Sequence, residues 1–172
     1  MVMAEGDKVR LRLPVAEDIP MMQAWEQNPD ILLVSEDEHP SHGQWEAFVR
    51  ECHLDLADSG AQRLIIQLLD GKDIGTVEVF EYMDMLKTAG LGIMIAEHDE
   101  RNKGYAQQAL RLFMEYLRST YHMESLYCNI AESNKASVAL FEKVGFVAAG
   151  LYPWRNRRGE EENVYHLQMN WL

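Results

Sequence analysis

Between residues 91 and 117 the chain changes character in a way that few folds accommodate. Leu91-Gly92-Ile93-Met94-Ile95-Ala96 reads as a strand, and Arg101-Asn102-Lys103-Gly104-Tyr105-Ala106 as a glycine-containing loop. Ala106, Ala109, Leu110, Phe113 and Leu117 then recur at helical spacing. A helix that starts straight out of such a loop presents its first N–H groups, and the positive end of its dipole, to whatever lies in front of it. That is an anion site by construction. Gly104 lacks a Cβ, so the main chain can approach a bulky diphosphate, and Ala106 keeps the next turn open. Arg101 and Lys103 add positive charge. Taken alone the pattern is weak, because a glycine in a strand–helix turn is commonly structural.

A second pattern follows about thirty residues on, after the strand-like run Ser125-Leu126-Tyr127-Cys128-Asn129-Ile130. Ser133 or Asn134 is placed to cap a short helix through Lys143, with Ala136, Ala139, Leu140 and Val144 on its inner side and Gly145 as the residue that ends it. The remaining elements are read from period and punctuation. Residues 9–13 alternate as a first strand ended by Pro14, Asp18 caps a helix through about Gln27, and Asn28-Pro29-Asp30 breaks it. Ser41 is a cap for a second helix carrying Trp45, Phe48, Val49, Cys52 and Leu56 on its apolar side. Residues 63–69 and 74–80 form a hairpin around Asp70-Gly71-Lys72-Asp73, and a loop spans 85–90. Residues 146–154 and 164–171 close the chain as an antiparallel pair around Asn156-Arg157-Arg158-Gly159. With no internal repeat and no linker, residues 1–172 read as one domain.

Charge narrows the function classes. A formal net charge of −12 opposes a nucleic-acid surface, which needs clustered Lys and Arg. Eleven acidic residues fall between Glu17 and Asp58, opposed only by Arg50. They form either a solubilising face or one that focuses a negative potential on a cationic substrate. The N-terminal residues do not resemble a secretory signal and no apolar run is long enough to cross a bilayer, so a cytoplasmic protein is expected. Cys52 and Cys128 read as reduced, buried thiols. His39-x-x-His42 lacks further ligands, so no metal site is expected.

The loop at 101–106 and the segment Asn134-Lys135-Ala136-Ser137-Val138-Ala139-Leu140-Phe141-Glu142-Lys143-Val144-Gly145-Phe146, in this order and spacing, resemble the GNAT superfamily of N-acetyltransferases. The resemblance covers essentially the whole chain in element order, with its sharp motifs between Leu91 and Phe146. It implies an α+β GNAT fold: a mixed, mostly antiparallel twisted sheet of about six to seven strands flanked by about four helices. The strands at 91–96 and 125–130 should splay apart to hold acetyl-CoA. Main chain at Met94, Ile95 and Ala96 would then bind the pantetheine arm and polarise the thioester carbonyl. The amides of Arg101, Asn102, Lys103, Gly104, Tyr105, Ala106 and Gln107 would take the pyrophosphate. Asn134 would contact the pantetheine or the amine, besides serving as a helix cap. Relatives are often dimers, so a homodimer is one expected assembly.

Two departures bear on proton transfer. Many family members carry Tyr at the position of Phe141, where it protonates the leaving thiolate; Tyr127, Tyr152 and Cys128 are the alternatives here. Gly90 stands where relatives of the spermidine and ribosomal-protein type often have a Glu that acts as base through water, leaving Glu97, Glu78 and Glu81 within reach. No catalytic residue is assigned on this basis. The layout is most similar to the spermidine and ribosomal-protein N-terminal acetyltransferase branch. With the acidic 17–58 stretch, this implies a diamine or polyamine acceptor held by Glu36, Glu46 and Glu81. Acetylation of protein N-termini, or a module that binds acyl-CoA with little turnover, are the alternatives.

Overall fold

A computed structural model describes residues 1–27, 42–155 and 159–171. Among them eight strands form one sheet: β1 (Val2–Glu5), β2 (Val9–Arg12), β3 (Gln62–Leu68), β4 (Asp73–Met83), β5 (Thr88–Ile95), β6 (Ser125–Ala131), β7 (Val147–Arg155) and β8 (Glu161–Asn170). The strand order is β1-β2-β3-β4-β5-β6-β8-β7. Every neighbouring pair is antiparallel except β5 and β6. That one parallel pair needs a crossover, and α4 (Tyr105–Tyr121) supplies it. The other helices are α1 (Ile19–Glu26), α2 (His42–Cys52), α3 (Leu56–Ser59) and α5 (Lys135–Lys143).

α4 follows from its sequence. Ala109, Leu110, Phe113, Met114 and Leu117 lie on one stripe and are all buried against the sheet. From the strands they meet Val77 and Val79 of β4, Leu91 of β5, and Leu126 and Cys128 of β6 in one core. A second, smaller core joins Ile19 and Met22 of α1 to Trp45 and Val49 of α2, with Phe48 against it. One link to the sheet is Arg63 of β3, whose guanidinium lies 4.8 Å from the Phe48 ring and bonds Glu26 at 2.9 Å and Glu78 at 2.8 Å. The sheet therefore has an inner face under α4 and an outer face bearing Arg63, Glu78, Phe80 and Tyr127.

Several boundaries differ from the sequence reading. Residues 2–5 form an additional strand paired with β2, so the described residues hold eight strands and five helices, close to the about six to seven strands and about four helices expected. β5 begins at Thr88, so Gly90 lies inside a strand and not in a loop. Leu56 does not continue α2; it opens α3, where Asp55 accepts from the Ala57 amide at 2.9 Å. Asp18 makes no side-chain cap on α1. It accepts instead from the Val15 amide at 2.8 Å and from both Arg12 terminal nitrogens at 2.8 Å. Ser41, Glu36 with its acidic loop, His39 and Asn156-Arg157-Arg158 lie outside the described residues.

Candidate active site

β5 and β6 are paired only at Thr88↔Ser125, Ala89↔Leu126 and Gly90↔Tyr127. Beyond Gly90, β5 continues on β4 as far as Ile95, and β6 continues on β8 as far as Ala131. The two strands thus part in a V, with Gly90 and Tyr127 at the closed end. Each leaves a free backbone edge facing the gap, where an extended chain with amide groups can bind as a strand would.

The three residues assigned to this edge do not all face it. The Ala96 amide donates to Ile74 at 2.8 Å, and the Met94 carbonyl lies against the Cα of Gly75, 2.0 Å from where a Cβ would stand. Both are turned to β4. Alternation turns Leu91, Ile93 and Ile95 towards the gap instead. The Ile95 carbonyl is met there by Arg101 Nε at 3.1 Å.

At the open end of the V stands the start of α4. Gly104 adopts φ +83°, a left-handed conformation that suits glycine, and Asn102 precedes it at φ +63°. The first intrahelical bond runs from the Gln108 amide to the Gly104 carbonyl at 3.2 Å, so the amides of Tyr105, Ala106 and Gln107 come before it and point out of the helix. The cations are more engaged than the sequence indicates. Arg101 braces the loop through Ile95 and through His98 Nδ1 at 3.3 Å. Lys103 pairs with Glu100 at 3.3 Å, which Lys72 also reaches at 3.1 Å. Lys8, from the turn between β1 and β2, brings its ammonium to 3.1 Å from where a Gly104 Cβ would be. Gln108 fixes that turn by accepting from the Lys8 and Val9 amides at 2.8 and 2.9 Å. No sequence signal marks Lys8, since its place depends on a contact across 100 residues.

Asn134 caps α5, its Oδ1 accepting from the Ser137 amide at 3.2 Å. At the other end, Gly145 (φ +109°) donates to Glu142 at 3.1 Å and Phe146 to Phe141 at 3.0 Å. This is a Schellman ending, whose apolar contact is the Phe141 ring against Phe146 at 5.1 Å. Phe141 is buried and belongs to the core.

The acid and base alternatives sort clearly. Cys128 is buried on the inner face, and burial pushes its thiol up to about 12, so it is inert. Tyr152 is exposed on the edge strand β7. Glu97 accepts from the Trp25 indole at 3.1 Å, and Glu78 is held by Arg63. Glu81 accepts a hydrogen bond from the Tyr127 hydroxyl. Burial, then that hydrogen bond and the Glu81 charge, raise the Tyr127 phenol well above the ordinary tyrosine value. A side chain at Gly90 would displace the Phe80 ring, which stands 2.3 Å from where its Cβ would be. Glu46 lies on the exposed side of α2. Among the described residues, no group of three or more His, Cys, Asp or Glu is placed to hold a metal.

Residues 8–147 match a family described as "Acetyltransferase (GNAT) domain". The chain is 26% identical over 158 residues to an N-acetyltransferase 9-like protein of Nematostella vectensis, covering 82% of this chain and 75% of the relative. It is 25% identical over 151 residues to the spermidine N(1)-acetyltransferase of Escherichia coli (strain K12), covering 86% and 77%. In fold it is similar to the spermidine N-acetyltransferase from Vibrio cholerae solved with CoA and spermine, with a TM-score of 0.84, 20% identity and 96% of each chain covered.

Proposed function

The chain belongs to the GNAT acetyltransferase family and is an N-acetyltransferase that uses acetyl-CoA; from that premise we propose that its acceptor is a diamine or polyamine. The observation that carries the site is the V between β5 and β6 opening onto the start of α4. On this reading the amides of residues 104–107 take the pyrophosphate, with Arg101 bracing the loop and Asn102, Lys103 and Lys8 around it. The pantetheine arm lies along Ile93 and Ile95, with Asn134 on the opposite wall. The five residues from Leu91 to Ile95 span about 16 Å at ~3.3 Å each, and they lead the thioester to the closed end at Gly90 and Tyr127.

The acceptor then lies on the outer face, where Glu81 offers a carboxylate beside Tyr127 and the Glu26–Arg63–Glu78 group keeps one net negative charge. A flexible polycation suits carboxylates spread along a groove, and the acidic 17–58 stretch, including Glu36 and Glu46, adds long-range attraction. The kinship with spermidine acetyltransferases supports the same acceptor. The reaction is direct attack of a neutral amine on the acetyl carbonyl, accelerated by positioning and by a main-chain N–H of the β5 edge at the carbonyl oxygen. Among the described residues no helix is long and apolar enough to cross a membrane, which fits work on soluble amines in the cytoplasm. The edge strand β7, with Val147, Leu151 and Tyr152 exposed, suits a homodimer seam. Thiol release from acetyl-CoA across spermidine, spermine, short diamines and N-terminal peptides is the test. Saturable turnover of the polyamines is expected, and turnover of the peptides alone would refute the proposal.

A further inference from the structure

One break in the alternation of β4 lies beside the closed end of the V. Val77 and Val79 point inward to the core, while Glu78 and Phe80 face outward. The next side chain, Glu81, would ordinarily turn inward. The register between Phe80 and Met83 is irregular, and Glu81 takes φ +51°, a conformation uncommon for a residue with a Cβ. As a result Phe80 and Glu81 both stand on the outer face, and Tyr82 resumes the inner one, 5.9 Å from Tyr121 of α4. The strained bulge places the Glu81 carboxylate on the Tyr127 hydroxyl.

The surroundings hold Tyr127 in one orientation. Phe80 meets its ring edge-on at 6.1 Å, and His166 of β8 stacks on it at 5.5 Å. His166 is fixed in turn by Asn129 at 2.8 Å and Gln168 at 3.1 Å, a pattern satisfied when Nδ1 carries the proton. Among the described residues, the titratable groups in contact with Tyr127 are thus Glu81 from β4 and His166 from β8.

We propose that Glu81 and Tyr127 form a proton relay between the two ends of the transfer, supplying both functions left open by Gly90 and Phe141. As the N–C bond forms and the C–S bond breaks, the proton shed by the amine passes to the Glu81 carboxylate. Tyr127 gives its phenolic proton to the departing sulfur, and Glu81 returns the amine's proton to the phenolate oxygen. Amine plus thioester becomes amide plus thiol, with no further reactant. The coupling has a physical reason. A charged Glu81 opposes ionisation of Tyr127, and that opposition disappears when Glu81 accepts the amine's proton, so the acid strengthens when the base is loaded.

The relay rests on the acetyltransferase site described above, with an amine on the outer face. Tyr127→Phe keeps both ring contacts and removes only the hydroxyl. It is expected to lower kcat about 100-fold, with the amine KM within about 2-fold. Calorimetric CoA affinity should stay at the parent value. Glu81→Gln should lower kcat and raise the amine KM, and the double variant should fall no more than about 3-fold below the worse single variant. Tyr152→Phe should match the parent. In the free protein with ¹³C-labelled tyrosine, Glu81→Gln should lower the Tyr127 titration midpoint by about one unit or more. Parent-like kcat in Tyr127→Phe, independent losses in the double variant, or an unmoved midpoint each overturn the relay. If the parent turns over no amine at all, the acceptor reading fails and the relay with it. A parent that turns over while Tyr127→Phe equals it sinks the relay alone.

Discussion

Gly104 and Phe141 show how differently single residues announce their roles. Gly104 was readable because loop chemistry is local: a left-handed residue before a helix start favours glycine whatever lies around it. Gly104→Val adds backbone strain and pushes into the Lys8 ammonium. It should weaken CoA binding at least about 10-fold by calorimetry, the loss of roughly one charge-assisted hydrogen bond. Phe141 is the contrary case. In the sequence it looks like a lost acid; in the structure its ring closes the end of α5 against Phe146, which gives the site an apolar duty. Phe141→Tyr must find room for a hydroxyl in the core. It should lower stability by about 1–2 kcal/mol in urea unfolding and leave kcat unimproved. A large gain in kcat would show that the tyrosine position still addresses the thiolate. Lys8 and Glu81 mark where local reading stops, since one arrives by a fold-wide contact and the other by a bulge that reverses alternation.

Among the elements, those with strong period were legible and those defined by partners were not. α4 carries its buried stripe openly, and the splay of β5 from β6 was expected from the resemblance of the flanking motifs. The extra strand β1 is too short to announce itself; its pairing with β2 completes it. α1 opens after Asp18 as its sequence indicates, but the Asp18 side chain turns from the helix to Arg12, which also holds Asp73 at 2.8 Å. That group ties β2, the entry to α1 and the β3–β4 turn. Burial alone would raise the Asp18 pKa, but the Arg12 bonds and the Val15 amide outweigh it and hold it below the ordinary value. A depressed folded-state pKa contributes stability that is fully present above the unfolded value of about 3.9 and is lost as pH falls through the folded one. Asp18→Asn should therefore cost about 2–3 kcal/mol at pH 7. The gap from the parent should narrow as pH drops below about 4 in parallel denaturant titrations. A gap independent of pH would assign the loss to packing.

For the whole molecule, the sheet divides the labour. Its inner face is filled by α4 and supplies most of the buried apolar surface, while its outer face carries the carboxylates and aromatics to which the acceptor is proposed to bind. Within it β5 and β6 part, and the start of α4 stands at the open end of the gap. The strongly acidic balance of the chain, −12 overall, is in keeping with a cationic acceptor drawn to that outer face. The family, its cofactor and the position of the V were thus legible through the resemblance that two motifs in order carry, each motif being also a local solution to anion binding or helix ending. Which peptide groups face the V was not visible, because it depends on register with β4. The most direct measurement is amide chemical-shift mapping of the isotope-labelled protein during titration with CoA. Saturable shifts concentrated at Ile93, Ile95 and residues 104–107, with Ala96 and β7 little changed, are the predicted result. Saturation with those amides unmoved and the shifts gathered elsewhere would contradict the placement of the cofactor in the gap between β5 and β6.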